Sequence, residues 1–185
     1  MNILKGKSIR LRALEPGDVD LLYDWENKSG IWSISNTIVP FSRFILEKYI
    51  ADSHLDLFQT KQLRLMIDLM DSEKDKTIGA IDLFDFEPMH SRAGIGILIS
   101  NEENRNRGYA SEALSVLISY AFKILQLHQL YCNIDSENKI SMKLFKKFNF
   151  EVIGEKKEWI KTPEGWKSEY MLQLINKDQP SSTKG

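Results

Sequence analysis

A strand, a short polar loop and a long amphipathic helix follow one another between residues 92 and 125, and this succession constrains the fold most. Alternating apolar residues predict a strand over residues 92–99, and the polar run of residues 101–104 ends it. From Gly108 to about Leu125, apolar residues recur at helical spacing, which predicts a long amphipathic helix. A strand joined by a short loop to a helix is a building unit of domains that mix α and β structure.

The rest of the chain repeats this alternation. Helices are predicted to begin near Pro16, after an N-cap at Ser42, and over residues 140–148. Residues 29–40 are predicted to form a loop and residues 71–76 a turn. The remaining strands, of which the last two form a hairpin, are predicted over residues 9–13, 63–67, 77–86, 130–134, 152–160 and 166–174.

Length and composition fit one globular domain and exclude several classes of protein. We predict a single α/β domain over residues 1–176 and a polar tail over residues 177–185. The 25 basic and 26 acidic side chains give a formal net charge of -1, so no overall positive field attracts nucleic acid or anionic lipid. No segment approaches the ~18 apolar residues that cross a bilayer. We therefore expect a cytoplasmic protein with neither nucleic acid nor membrane as a partner.

Cysteine and histidine are too few or too scattered to build a site. The single cysteine, Cys132, excludes an internal disulfide framework and lies on a predicted buried strand, so we expect an inert core thiol. The three histidines, His54, His90 and His128, lack the spacing of metal ligands. The sequence therefore predicts no metal site.

The loop before the long helix carries the pattern with most chemical meaning. It reads Arg105-Asn106-Arg107-Gly108-Tyr109-Ala110. A helix start offers unpaired backbone N–H groups and a partial positive charge, which suit a phosphate. Gly108 lets a diphosphate approach the backbone closely, Ala110 keeps the next turn small, and two arginines add charge. The sequence lacks the glycine patterns of dinucleotide and nucleoside triphosphate sites, but a solvated loop before a surface helix remains an alternative.

These residues resemble the coenzyme signature of the general N-acetyltransferase (GNAT) superfamily. The signature places Arg or Gln three residues before a Gly, and Gly or Ala two residues after it, which Arg105, Gly108 and Ala110 match. The resemblance extends through Ser111-Glu112-Ala113 and over about residues 7–175, and it is greatest to enzymes that acetylate ribosomal-protein N-termini, with a further likeness to spermidine acetyltransferases. It implies a mixed, mostly antiparallel twisted sheet of about seven strands flanked by about four helices. It also implies an N-acetyltransferase that uses acetyl-CoA; a homodimer is common in the family.

The resemblance assigns coenzyme roles to two further segments. Residues 95–99 match the family's fourth strand, whose backbone pairs with the pantetheine arm. Asn138 matches an asparagine that binds the pantetheine amide, and Ser141 a small residue beside the coenzyme. As an alternative, Asn138 is only the N-cap of the following helix. Three lysines of that helix either reach the terminal phosphate or are simply solvated: Lys143, Lys146 and Lys147. The candidate coenzyme-binding residues are Ile97, Leu98, Ile99, Arg105, Asn106, Arg107, Gly108, Tyr109, Ala110, Asn138, Ser141 and Phe145.

The chain departs from the family at both positions that usually exchange protons. Gly94 stands where a glutamate is frequent, and Phe145 stands where a tyrosine usually acts as general acid. A thiol with a pKa near ~8.5 costs only ~2 kcal/mol to expel as thiolate at pH 7, whereas deprotonating a lysine-like amine costs roughly 4–5 kcal/mol. We therefore expect catalysis by positioning, with water or a carboxylate as proton acceptor. The candidates, each of which has a solvated strand or turn residue as its alternative, are Asp82, Asp85 and Glu87, with His90 behind them.

The resemblance places the acceptor between the first two helices, the end of the fourth strand and the last hairpin. Aromatic rings beside carboxylates suit the cation and the apolar arm of an amine. The candidate acceptor-binding residues are Trp25, Glu26, Trp32, Phe41 and Trp159, with Trp166 nearby. Alternatively, the tryptophans pack the core and the hairpin.

Two functions and two kinds of acceptor remain open at the level of sequence. The acceptor is either a small polyamine-like or amino-sugar-like amine, or the α-amine of a protein N-terminus. The second function, suggested by Gly94 and Phe145, is an acyl-CoA-binding regulatory module with little or no catalysis.

Overall fold

The computed structural model describes residues 3–28, 39–70 and 76–178. Two short 3-10 turns are present. Pro16–Asp18 precedes the first helix, and Glu102–Asn104 precedes the loop of residues 105–108. In chain order, the strands and α-helices of the described residues are β1 (Ile9–Arg12), α1 (Val19–Glu26), α2 (Arg43–Asp52), α3 (Leu57–Thr60), β2 (Leu63–Leu69), β3 (Lys76–Glu87), β4 (Arg92–Ile99), α4 (Tyr109–Lys123), β5 (Gln129–Asp135), α5 (Lys139–Lys147), β6 (Glu151–Thr162) and β7 (Gly165–Ile175).

One sheet contains all seven of these strands, in the order β1-β2-β3-β4-β5-β7-β6. Every neighbouring pair is antiparallel except β4 and β5, which are parallel. The prediction of a mixed, mostly antiparallel sheet of about seven strands is therefore confirmed. None of the described helices combines the length and the apolar character that crossing a membrane requires.

The parallel strands β4 and β5 are paired at one end only and separate further along. Residues of β4 and β5 are paired only from Arg92 with Gln129 to Gly94 with Tyr131. Past these positions the register of the described residues contains no further pair between the two strands. A gap therefore opens inside the sheet.

Successive side chains of a strand point to opposite faces, so the sheet has a hydrophobic core on each face. On one face, α4 buries Leu114 and Leu117 fully against the central strands. On the other, α1 and α2 pack against β2 and β3, with Leu22 and Met66 fully buried. Fully burying such a side chain stabilises the fold by about 1.5–3 kcal/mol.

Helix boundaries differ from the predictions in two places. The first helix starts as the 3-10 turn and becomes α-helical only at Val19. The short helix α3 was not predicted because four residues are too few to show a helical period. Its N-cap Asp56 was the one local signal, and the carboxylate accepts a hydrogen bond from the N–H of Gln59 at 2.9 Å. The N-cap predicted at Ser42 is confirmed, since its Oγ accepts from the N–H of Ile45 at 3.2 Å. Most of the predicted loop, most of the predicted turn and most of the tail lie outside the described residues.

Candidate active site

The gap between β4 and β5 holds a cavity of about 390 Å³. Its walls come from β4 and β5, from the start of α5, and from the β6–β7 hairpin. Four of the residues predicted to bind the coenzyme line it, namely Ile97, Asn138, Ser141 and Phe145. An elongated group can therefore enter the sheet between these two strands.

The loop of residues 105–108, which we call the coenzyme loop, leaves the start of α4 open. Gly108 is the N-cap residue of α4 in a left-handed conformation, with φ at 87°, and no side chain caps the helix. A Cβ atom at this position would have nothing within 4 Å, so the space beside the helix start is open. Arg105 fixes the loop to the end of β4, because its Nε donates to the Ile99 carbonyl at 3.2 Å. A helix start with this geometry offers unpaired N–H groups, and diphosphate binding by the loop stays a prediction.

A lysine from α5 adds positive charge at the same place. Nζ of Lys147 donates to Oγ of Ser111, in the first turn of α4, at 2.8 Å. The ammonium group therefore lies beside the unpaired N–H groups of this helix. A phosphate contact by Lys147 stays a prediction, as do those of Lys143 and Lys146, both of which are exposed.

Asn138 caps α5 and also lines the cavity, while its contact with the pantetheine amide stays a prediction. Its Oδ1 accepts the N–H of Ser141 at 3.0 Å, so it caps α5, and its side chain also lines the cavity. Phe145 is buried and packs edge-to-face on Phe150, with ring centroids 5.0 Å apart. The cavity wall at this position is therefore apolar and supplies no proton.

The other predicted coenzyme residues flank the cavity without lining it. Leu98 packs against the core beneath α1 and α2, and Ile99 packs against the core beneath α4. Tyr109 and Ala110 are half-buried at the start of α4. Asn106 and Arg107 are exposed, and Asn106 has a left-handed backbone with φ at 59°.

The ring of Phe84 fills the position where the family often has a glutamate. A Cβ atom on Gly94 would lie 2.3 Å from Cε2 of Phe84. The ring also packs edge-to-face on Tyr131, with centroids 5.9 Å apart. The register between β3 and β4 shifts just after Phe84, and Asp85 takes a left-handed conformation with φ at 47°. No side chain fits at position 94 unless Phe84 moves.

Of the four candidate proton acceptors, Asp82 is nearest to the cavity in the register of the sheet. Asp82 lies opposite Gly96, which lines the cavity. Asp85 accepts a hydrogen bond from the Tyr131 hydroxyl at 3.1 Å; burial and this carboxylate raise the pKa of Tyr131 to about 12. Glu87 lies opposite Arg92 at the far end of β4, and His90 is exposed in the following turn. None of these four described side chains lines the cavity itself.

Asp82 belongs to a charged network between the sheet and α1. Arg64 binds both Asp82 oxygens, at 2.8 and 3.0 Å, and Nη1 of Arg64 lies 2.8 Å from Oε1 of Glu26. Its guanidinium also lies over the ring of Tyr49, 5.6 Å from the centroid. Burial lowers the pKa of Arg64, but the two carboxylates and Tyr49 together outweigh burial and raise it, so the guanidinium stays charged. The guanidinium thus joins a carboxylate of the sheet to a carboxylate of α1.

The candidate acceptor residues are dispersed. Trp25 is only 5% exposed and packs in the core beneath α1 and α2. This position agrees with the alternative prediction, in which the tryptophan packs the core. Phe41 packs on the same core, and Asn27 binds its backbone N–H and carbonyl at 2.9 and 3.0 Å. Trp159, 62% exposed, lines the cavity mouth. Trp32 lies outside the described residues, and Trp166 is exposed at the end of the hairpin without lining the cavity.

Sequence reasoning missed the polar wall that the hairpin contributes. Lys156 and Glu169 line the cavity together with Asn133 and Asp135 of β5. Nζ of Lys156 pairs with Oε2 of Glu169 and donates to Oδ1 of Asn133 at 3.1 Å. Asp135 lies directly opposite Glu169, so both carboxylates are on one face of the sheet. The alternation of polar and apolar residues along β5 was the available signal for this wall. It does not reveal the register of β6, which brings Lys156 to the same place.

Cys132 is buried, as predicted, and the structure places it in the cavity wall. Burial raises the pKa of its thiol to about 12, so the group is protonated at neutral pH. Within the described ranges, no cluster of His, Cys, Asp or Glu could hold a metal ion. The chemistry of this site therefore rests on the coenzyme loop, the cavity and its polar wall.

A helix start open to a diphosphate, next to a gap that admits an extended arm, defines the class of acyltransferases that use coenzyme A. The family profile of an acetyltransferase (GNAT) domain matches residues 8–151. The chain belongs to this family, and it is an acetyl-CoA-dependent N-acetyltransferase.

Curated relatives and a solved structure agree with this assignment. The chain is 28% identical to the spermidine N(1)-acetyltransferase of Escherichia coli K12 over 151 residues, which cover 80% of this chain and 75% of the relative. It is 26% identical to the Vibrio cholerae enzyme of the same name over 146 residues, covering 79% and 80% of the two chains. The Vibrio cholerae spermidine N-acetyltransferase solved with CoA and spermine superposes with a TM-score of 0.81 at 22% identity, covering 91% of this chain and 95% of that one. At this identity the structural likeness shows the shared fold.

Proposed function

We propose that this N-acetyltransferase acetylates a terminal primary amine of a small, polyamine-like cation. The observation that carries the proposal is the charge of the cavity wall. Asp135 and Glu169 contribute two carboxylates and Lys156 one ammonium, which leaves one net negative charge beside the transfer site. Near the same gap, the Asp82 carboxylate is fixed by Arg64 and offers a second anchor for a cation. A multiply charged amine gains from both, whereas a neutral acceptor gains from neither.

Asp82 has the best position to receive the acceptor amine. It lies opposite Gly96 on the face of the sheet that carries Phe84, and Arg64 fixes its carboxylate with two hydrogen bonds. A fixed carboxylate binds the ammonium form and orients the amine for attack on the thioester. Deprotonating such an amine costs roughly 4–5 kcal/mol at pH 7, and Asp82 or a water molecule beside it takes the proton.

The relatives favour a polyamine over a protein N-terminus. Two of the curated relatives named above are spermidine acetyltransferases, at 28% and 26% identity. The α-amine of a peptide carries one charge and so uses only part of the acidic wall. Membership of the acetyltransferase family speaks against the second function predicted from the sequence, a regulatory module without catalysis, which was suggested by Gly94 and Phe145.

A thiol-release assay with an amine panel tests the proposal. The panel contains spermidine, spermine, glucosamine, a monoamine and peptides with free N-termini, all with acetyl-CoA. We expect kcat/KM to be highest for spermidine or spermine. If a peptide is the best substrate, the polyamine proposal is wrong; saturable acetyl-CoA binding without turnover of any amine would establish the regulatory module.

Substituting Asp135 separates charge recognition from general damage to the site. Asp135→Asn keeps Oδ1, which accepts the N–H of Glu137 at 2.8 Å, and removes only the charge. We expect KM for spermidine to rise about tenfold, with little change for the monoamine or for acetyl-CoA. Asp20→Asn, on the exposed surface of α1, is the matched control and should leave all three values unchanged. Equal effects on the polyamine and the monoamine would contradict the role of charge.

A further inference from the structure

Lys156 is the only cation among the residues that line the cavity in the described part of the chain. Its side chain is 29% exposed and that of Glu169 only 12%, so the ion pair is largely withdrawn from water. Removing two charges from water costs free energy, so a partly buried ion pair does not by itself indicate a stabilising role. Its position in the wall of the reaction cavity therefore needs a chemical reason.

The local backbone directs Lys156 toward the cavity. The register between β6 and β7 shifts between Lys156 and Ile160, and Glu158 within this bulge has a left-handed φ of 49°. Bulges of this kind re-aim side chains next to active sites. Glu169 and Asn133 bind the ammonium group, and Trp159 lies beside it, 5.0 Å from Nζ to the ring centroid. The cation is thus held in one place by three neighbours.

The transfer reaction needs a group that stabilises negative charge on sulfur. The amine nitrogen attacks the carbonyl carbon, the C–N bond forms, the C–S bond breaks, and the electron pair leaves with sulfur as a thiolate. Phe145, in the wall of the same cavity, has no hydroxyl to donate, and Cys132 is held protonated by burial. A cation at the wall lowers the energy of the thiolate as it forms.

We propose that the Lys156 ammonium stabilises the departing coenzyme A thiolate through an N–H to sulfur hydrogen bond, in place of the hydroxyl that Phe145 lacks. Lys156 acts here as a hydrogen-bond donor and transfers no proton to sulfur. The thiolate takes a proton from water, and the proton lost by the amine goes to Asp82 or to water. Glu169 and Asn133 are positioning residues, because they act only through the ammonium group. The inference rests on the proposed function only in that acetyl-CoA binds in this cavity.

The pKa of the thiol of bound coenzyme A measures this stabilisation without any acceptor. The ultraviolet absorbance of the thiolate is titrated with pH in the complex of coenzyme A with each variant, and the protein alone serves as the blank. We expect the wild-type protein to lower the thiol pKa by about one unit, a tenfold change in its dissociation constant. In Lys156→Met this lowering should disappear. Lys157→Met, an exposed neighbour on the same strand, is the matched control and should behave like the wild type.

A double variant distinguishes stabilisation of sulfur from simple neutralisation of Glu169. If Lys156 only balances the charge of Glu169, then Lys156→Met/Glu169→Gln should regain the wild-type thiol pKa, and the proposal is wrong. If Lys156 acts on sulfur, the double variant should still lack the lowering of the thiol pKa that the wild type shows. The double variant leaves no unpaired carboxylate, so it decides the question even if the single variant unfolds.

Turnover gives the second readout. With the best amine of the panel, we expect kcat to fall roughly 10- to 100-fold in Lys156→Met and in the double variant. This loss is near the lower end of what removal of a preorganised hydrogen-bond donor causes, because a thiolate is already a good leaving group. Unchanged kcat and an unchanged thiol pKa would overturn the role of Lys156. Failure of the wild type to acetylate any amine would instead refute the proposed function, and the thiol titration would still stand.

Discussion

Arg64→Met is expected to lower the free energy of unfolding by roughly 3–4 kcal/mol, because it removes the guanidinium that binds both oxygens of Asp82 and one oxygen of Glu26. Both carboxylates are less than one-fifth exposed, at 19% and 16%, so water solvates them poorly once the guanidinium is gone. Urea unfolding at pH 7, followed by fluorescence and circular dichroism, measures the change.

An exposed arginine on the same face gives the control. Arg43 pairs with Asp20, but the two side chains are 52% and 73% exposed. Arg43→Met should therefore leave the free energy of unfolding nearly unchanged. If the two variants are equally stable, the network around Arg64 does not hold the sheet and α1 together.

Ser141→Trp is expected to lower kcat/KM for acetyl-CoA by more than about 100-fold. Ser141 lines the cavity from the first turns of α5, so an indole at this position occupies space between β4 and β5 that the acyl arm requires. Misplacing the reacting groups by as little as ~1 Å can cost about 100-fold in rate. Steady-state kinetics with varied acetyl-CoA measures the loss.

Ile140→Trp, one residue earlier on the same helix, tests whether the effect is local. Ile140 is 74% exposed and does not line the cavity. This variant should keep kcat/KM within about twofold of the wild type, which is the size of a ~0.4 kcal/mol change in the barrier. Retained activity in Ser141→Trp would mean that the acyl arm does not pass between the two strands.

The local structure around the predicted coenzyme loop could be predicted because its signals are local in the sequence. Gly108 lies at the junction of a loop and a long amphipathic helix, and both are recognisable within one short window. Asn138 caps a helix through a residue three positions away, which again needs no knowledge of the fold. The predicted sheet is confirmed for the same reason, since period-two patterns mark the strands.

The acceptor side was not predictable because it depends on pairing between distant residues. Lys156 reaches Glu169 and Asn133 only because β6 contains two register shifts. The filling of the space at Gly94 by Phe84 likewise depends on the register between β3 and β4. A residue pattern within one strand does not determine either feature.

Calorimetric titration with coenzyme A tests the central claim, that the start of α4 holds the diphosphate and directs the thioester into the gap. One saturable site should appear in the wild type. Reversing both charges in Arg105→Glu/Arg107→Glu should weaken it about 100-fold or more, since each charge-assisted hydrogen bond contributes about 1.5–3 kcal/mol. Absence of binding to the wild type, or equal affinity in the doubly reversed variant, would contradict the assignment of this loop.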